Sequence, residues 1–304
     1  MEESVISARG FRKCYGAAVA VKDLTFDVKR GEIFALLGPN GSGKTSTLES
    51  LEGLRRPDGG QLSVAGIDPA RQPTRLARRI GVQLQTSALP PAMTVDEAMR
   101  FFAAYHGVAQ QPALLERLGL SEKRSVQYAR LSVGQQRRLA LAIAVCHRPQ
   151  VLFLDEPTAG LDVQSRVDLH GMIRELRDGG TTVILATHDM AEAEKLADRA
   201  GILLKGELAA IGSPRQLTAS GARRTRISIS TENGTLLQPG AQVCGAQLAR
   251  CEEGYAVYYS DDPGPAVASI LARLEEAGDA LVDLRVERPT LEERFLEITS
   301  GGKT

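Results

Sequence analysis

No sign of charge is in excess in this sequence: Lys and Arg together number 37, and so do Asp and Glu. No net field draws the chain to DNA or RNA, so nucleic acid is not expected as a bulk partner, although a local patch can still bind it. Long apolar runs are missing too; none approaches the roughly 18 to 20 residues that span a bilayer. The first ten residues, MEESVISARG, are acidic where a secretory leader is basic. The expectation is a chain that stays in the cytoplasm. Cysteine is scarce, and Cys14, Cys146, Cys244 and Cys251 show no metal-ligand spacing, which points to free, reduced thiols. What remains is an ordinary soluble composition, 43% apolar and 24% charged over 304 residues, enough for one large domain and a small one.

The densest signal is FALLGPNGSGKTSTLESLEGL, from Phe34 to Leu54. An apolar run enters a glycine-rich turn, and Leu48, Leu51 and Leu54 then recur at helical spacing. Gly38, Gly41 and Gly43 let the backbone wrap tightly, so that amide N–H groups face phosphates. Lys44 then reaches the terminal ones and the Thr45 hydroxyl can ligate Mg²⁺. Gly38, Pro39, Asn40, Gly41, Ser42, Gly43, Lys44, Thr45 and Ser46 are the candidate nucleotide-binding loop.

A nucleotide hydrolase also needs a carboxylate for the metal and a group that directs water. In PQVLFLDEPTAGLD, four apolar residues in a row read as a buried parallel strand that ends in two acids. Asp155 is the candidate for the metal, through water, and Glu156 for polarising the attacking water. Adjacent acids are commonly just a solvated loop. Here the strand aims them at the end of the sheet where open α/β folds bind ligands. In TTVILATHDMAEAEKLADRA, Thr182 to Ala186 read as another buried strand, with His188 just past its end and Asp189 placed to cap the next helix. A lone histidine is more often structural, but a neutral imidazole at this place can bond a phosphate or hold the water.

A second anion-binding pattern opens at LSVGQQRRLALAIA, Leu131 to Ala144. Ser132 suits a helix cap, Gly134 allows close approach of the backbone, and the first-turn amides stand at the positive end of the helix dipole. The chain contains one phosphate loop, so this second site needs another explanation.

Taken together, GPNGSGKT, LSVGQQRRLALA, LFLDEPTAGLD and ATHD resemble, in order and rough spacing, the motifs of the ATP-binding cassette (ABC) ATPases, the motor subunits of ABC transporters. The resemblance covers about residues 4 to 212. It implies that Ser132, Gly134 and Gln135 close over ATP held by a second, antiparallel copy, and that Asp162 lies in the loop crossing to that copy. The signature usually carries glycine where this chain has Val133. The resemblance also implies that Tyr15 stacks on adenine and that Gln85 joins the metal site to the membrane partner. Read from the residues alone, Tyr15 serves as well to plug an edge of the core, and Gln85, near Pro90 and Pro91, as a solvated loop amide.

The expected fold is α/β, a P-loop NTPase of the ABC type. An antiparallel edge sheet is expected over residues 4 to 30, and a helical lobe is inserted over about residues 94 to 148. That lobe opens on a capping-box pattern at Thr94 and Glu97. A break at Gly212, Ser213 and Pro214 divides residues 1–212, the ATP-binding domain, from 213–304, a small α+β accessory domain without a catalytic constellation. Within it, RTRISIS, QVCGAQLAR, YAVYYS and LVDLRVE read as strands, and PGPAVASILARLEEAG and PTLEERFLEIT as helices. The last helix resembles the C-terminal end of cassette subunits in drug-exporting systems of the daunorubicin-resistance kind; a packing appendix or dimer brace is the plainer reading of this unit.

The expectation for function is an ATP-hydrolysing subunit of an exporter of drug, antibiotic or lipid-like cargo. It would use ATP and Mg²⁺, pair with a second copy, and work peripherally at the inner membrane face with separate membrane-spanning permease subunits. The alternative class is a soluble ABC ATPase acting on nucleic acid or ribosomes. Tandem-cassette factors need two phosphate loops, and chromosome types need a long heptad insert for which the stretch from Lys44 to Ser132 has no room. A small-molecule kinase would not need LSVGQ at all.

Overall fold

The computed structural model describes residues 4–84, 89–219, 225–237, 247–252 and 254–300. Two compact units, Met1–Pro214 and Arg215–Thr304, fold around separate apolar cores.

The first unit begins with two long strands, β1 (Ser4–Tyr15) and β2 (Ala18–Lys29), paired antiparallel. The elements that follow are β3 (Ile33–Leu37), α1 (Lys44–Leu51), β4 (Gly59–Val64), α2 (Pro73–Leu76) and β5 (Ile80–Gln83). Next come α3 (Val95–His106), α4 (Pro112–Arg117) and α5 (Val133–Val145). The rest are β6 (Val151–Asp155), α6 (Val163–Asp178), β7 (Thr182–Thr187), α7 (Met190–Leu196), β8 (Arg199–Leu204), β9 (Glu207–Gly212) and, across the boundary, α8 (Pro214–Ala219). Among the described residues the strands form one nine-stranded sheet in the order β4-β1-β2-β9-β8-β3-β7-β6-β5.

Every residue of β3, β6 and β7 is buried, because these strands are covered on both faces, as their unbroken apolar runs require. Alternate residues serve opposite cores. Phe34, Phe153 and Ile184 pack with Leu48 and Leu51 of α1, whereas Leu152, Leu154, Val183 and Leu185 pack with Met99, Leu141, Val145, Leu169 and Ile173 of the other helices. Since β7 lies between β3 and β6 with all three parallel, the chain leaves three neighbouring strands at the same end of the sheet.

The antiparallel strands at the start are not a separate layer. They continue the same sheet, because β2 joins β9 through a parallel bridge at Asp23 and Glu207 while β9 runs antiparallel to β8. The inserted lobe is helical, and Thr94 and Glu97 form the reciprocal capping box at the start of α3. Leu54 departs from the helical reading of its segment: α1 ends at Leu51 and Leu54 is exposed beyond the cap, since Gly53 breaks the helix first.

The second unit comprises β10 (Thr225–Thr231), β11 (Gln247–Glu252), β12 (Tyr255–Ser260), α9 (Pro263–Ala277), β13 (Leu281–Glu287) and α10 (Leu291–Ser300). The sheet order is β11-β12-β10-β13, all antiparallel. Ile227, Ile229, Ala256 and Tyr258 pack against Ala266, Ile270 and Leu274 of α9. The start of the QVCGAQLAR segment, residues 242–246, lies outside the described residues. Among those described, no helix in either unit is long and apolar enough to cross a membrane.

Candidate active site

The loop from β3 into α1 is shaped by close approach. Gly43 caps α1 at φ 107°, and a Cβ there would come within 2.7 Å of the Ala20 carbonyl oxygen, so only glycine fits. Lys44, the first residue of α1, is buried and its Nζ donates to the carbonyls of Gly38 at 2.7 Å and Pro39 at 3.2 Å. Burial lowers its pKa, while the charges of Glu156 and Asp155 act the other way. A groove of about 280 Å³ is lined by Asn40, Gly41, residues 43–46, Tyr15, Ala20, Asp155 and Glu156.

The two acids leave the end of β6 in different ways. Asp155 ends the strand, and burial, then the neighbouring charge of Glu156, raises its pKa against the pull of Lys44 and a hydrogen bond from Thr45. Glu156 has left-handed backbone, φ 47°, an uncommon conformation for glutamate that turns the chain out of the strand. Its amide donates to the Ala186 carbonyl at 2.9 Å. Its Oε1 accepts from the His188 amide at 3.1 Å and faces His188 Nδ1 at 2.7 Å. The carboxylate is buried and the imidazole is 61% exposed, so the pair has one end in the protein and one end open to a reactant.

The loop and strand ends suit a magnesium nucleotide. Ser42 Oγ is buried without a partner, an orphaned donor beside a basic lysine. Thr45 and Asp155 offer a hydroxyl and a carboxylate, the hard oxygens that Mg²⁺ prefers. Gln85, the third residue expected at the metal, lies outside the described residues.

Glu52, the C-cap of α1, marks the acidic end of this region. Burial, with Asp155 and Glu49 adding to it, pushes its carboxyl up to about 8, from 4.5. The folded chain therefore holds a proton here that the unfolded chain releases, and stability falls as pH rises from 4.5 toward 8. Glu52→Gln removes that loss. Its Tm relative to the parent should be higher at pH 8.5 than at pH 5 by at least about 2 °C; equal shifts at the two pH values would contradict the raised carboxyl.

Tyr15 sits at the end of β1, 43% exposed, which a core plug would not be. Lys13 Nζ lies over the ring, 5.3 Å from its centroid, and pairs with Asp58 at 2.9 Å, and Asp58 also accepts from the Cys14 amide at 2.7 Å. Lys13 and Asp58 escaped the sequence reading, although the two-residue spacing of a strand already puts Lys13 on the same face as Tyr15.

Ser132, Gly134, Gln135 and Asp162 do not line the groove. Ser132 Oγ accepts from the Gln135 amide at 3.2 Å and Gln135 Oε1 from the Ser132 amide at 3.1 Å, a reciprocal cap on α5. Val133 points outward, 53% exposed. Gly134 is buried, and a Cβ on it would meet Ser165 Oγ at 2.9 Å. That hydroxyl donates to Asp162 Oδ2 at 2.8 Å while Asp162 Oδ1 caps α6 through the Ser165 amide at 2.9 Å. The start of α5 and the start of α6 are thus packed on each other through Ser165, a residue that only its spacing from Asp162 hinted at.

The sequence model of one family, described as "ABC transporter", matches residues 21–159. The chain is similar to a Nod factor export ATP-binding protein of Ralstonia nicotianae, 36% identical over 97% of this chain and 94% of that protein. It is similar to a daunorubicin resistance ATP-binding protein of Streptomyces coeruleorubidus, 34% identical over 100% of this chain and 98% of the other. A solved structure described as the ATP-binding subunit of an ABC transporter superposes with a TM-score of 0.66 at 29% identity, covering 70% of this chain and 92% of that one.

Proposed function

The chain belongs to the ABC transporter ATPases, and from that premise we propose that it is the ATP-hydrolysing subunit of an exporter, with catalysis in the groove between the α1 loop and the end of β6. ATP is its nucleotide. The observation that carries the site assignment is the Glu156–His188 pair, 2.7 Å apart at the ends of neighbouring strands, beside Lys44, Thr45 and Asp155.

In this reading the loop amides and Lys44 hold the phosphates, and the Tyr15 ring stacks on the base. Thr45 and Asp155, with Gln85, hold Mg²⁺, which when bound neutralises charge building on the phosphates. The Glu156 carboxylate orients the attacking water and takes its proton through the oxygen that His188 leaves open, and His188 holds that carboxylate in place at Oε1 through its amide and Nδ1. The start of α5, with Ser132 exposed, Gln135 beside it and the buried Gly134 setting the close helix packing behind them, serves ATP carried by a second copy, together with Asp162. Two copies then close around two nucleotides.

Membrane-spanning permease subunits are separate chains, and this subunit works peripherally at the inner face of the membrane. Residues 1–212 form the ATP-binding domain and 213–304 an accessory domain. Drug, antibiotic or lipid-like cargo is the class in keeping with the names of its relatives. The test is affinity purification of tagged chain from detergent-solubilised membranes. A polytopic membrane protein should co-elute in fixed ratio; co-elution of nucleic acid or ribosomes instead would favour the soluble class.

A further inference from the structure

A buried polar trio stands outside the groove. Glu192 of α7 has no exposed side-chain surface; its Oε1 is met by the Thr158 hydroxyl and the His170 ring, from two other parts of the chain, while its buried Oε2 has no partner. Thr158 Oγ1 donates to Glu192 Oε1 at 2.7 Å, and His170 Nε2 of α6 lies 3.3 Å from the same oxygen. Thr158 and His170 are buried as well, at 4% and 5% exposure. A buried carboxylate is costly unless it is held by donors in good geometry, and apolar residues would fill this space at no such cost. The trio therefore needs a reason beyond packing.

Its placement supplies one. Thr158 lies between Glu156 and Asp162, two residues beyond the first, and its carbonyl accepts from the Leu161 amide at 3.1 Å, shaping the turn that delivers Asp162 to its cap. Glu192 lies one turn beyond His188, and its own amide is capped by Asp189 at 3.0 Å. The strand-end loop and the helix after the histidine are thus tied twice: once at Glu156 and His188, and again at Thr158 and Glu192. A second link, Arg166 to Asp189 at 3.3 Å, runs beside the His170 contact between α6 and α7.

We propose that Glu192 is a positioning residue, which through Thr158 and His170 holds the loop from Glu156 to Asp162 in fixed register with α7, the helix that follows His188. The proposal rests on the assignment of Glu156 and His188 to hydrolysis. The Thr158 hydroxyl is its most separable part, because valine copies the shape of threonine and removes the donor, leaving Glu192 Oε1 with the His170 ring alone in a carboxylate whose Oε2 already has no partner.

The test uses the purified full chain with Mg-ATP. Thr158→Val should lower kcat by about tenfold or more, the scale of a slightly misplaced reactive group, with KM for ATP within about twofold, and Thr158→Ser should recover at least half of the parent kcat. Thermal unfolding is followed in parallel, and Glu156→Gln serves as the reference for lost chemistry. If Glu156→Gln abolishes turnover while Thr158→Val turns over like the parent, the register role falls and the site assignment stands. If Thr158→Val and Thr158→Ser lose kcat and Tm together, the trio is merely structural and the proposal is overturned. If Glu156→Gln itself turns over normally, the site assignment falls and takes the proposal with it.

Discussion

Glu156→Gln should bind ATP with near-parental affinity yet turn over at least about a hundredfold more slowly, the scale of a lost general base. Glutamine keeps the size of the side chain and can still accept from the His188 amide, a contact of 3.1 Å in the parent. What disappears is the basic oxygen that takes a proton from water. The Nδ1 contact at 2.7 Å also weakens, because an amide oxygen is a poorer partner for imidazole than a carboxylate. Binding uses Lys44 and the loop amides and is untouched, so the variant should accumulate as an ATP-bound dimer, visible by gel filtration. Parental turnover at matched protein and Mg²⁺ would remove Glu156 from the mechanism.

The second large effect concerns two chains rather than one. Lys44→Ala loses the phosphate grip, and Ser132→Arg blocks closure by bulk at the start of α5; each homodimer then has two damaged sites. If Ser132 serves the ATP of the opposite copy, a mixed dimer joins an intact Lys44 on one chain to an intact Ser132 on the other and so rebuilds one good site. Mixing the two inactive proteins should then restore trapping of about one nucleotide per pair, read after rapid gel filtration in the presence of the permease subunits, against essentially none for either alone. Partner exchange is verified with differently tagged copies. An exchanged mixture that traps nothing would place Ser132 in the service of its own chain's nucleotide. In the structure Ser132 is outside the groove that holds Lys44, in keeping with the first outcome.

Much of this architecture is legible in the sequence because it follows from short-range rules. The runs in β3, β6 and β7 are apolar without a break since both faces are covered, and the caps at Thr94, Ser132 and Asp189 are each set by a side chain reaching an amide three residues on. What stayed hidden is long-range. That β2 continues the central sheet depends on β9, far along the chain. Glu192 reads as a charged residue of an amphipathic helix, and nothing local says that it is buried against Thr158 and His170. Glu52, too, looks like a solvated acid after α1 until the packing around it is known. In each case tertiary burial overrules a residue's usual preference for water.

The contact between Gly134 and Ser165 has a consequence for how this sequence is able to drift. Two positions well apart in the chain share one small volume, and the 2.9 Å available at residue 134 is set by an oxygen that Asp162 holds in place. Alanine at 134 fits only if Ser165 rotates away and abandons Asp162, and any larger residue at 165 would press on the backbone of α5. Neither position therefore changes without a response at the other: a side chain at 134 displaces the Ser165 hydroxyl, and with it the hydrogen bond that Asp162 Oδ2 accepts. The two helix starts are held together by space as much as by chemistry.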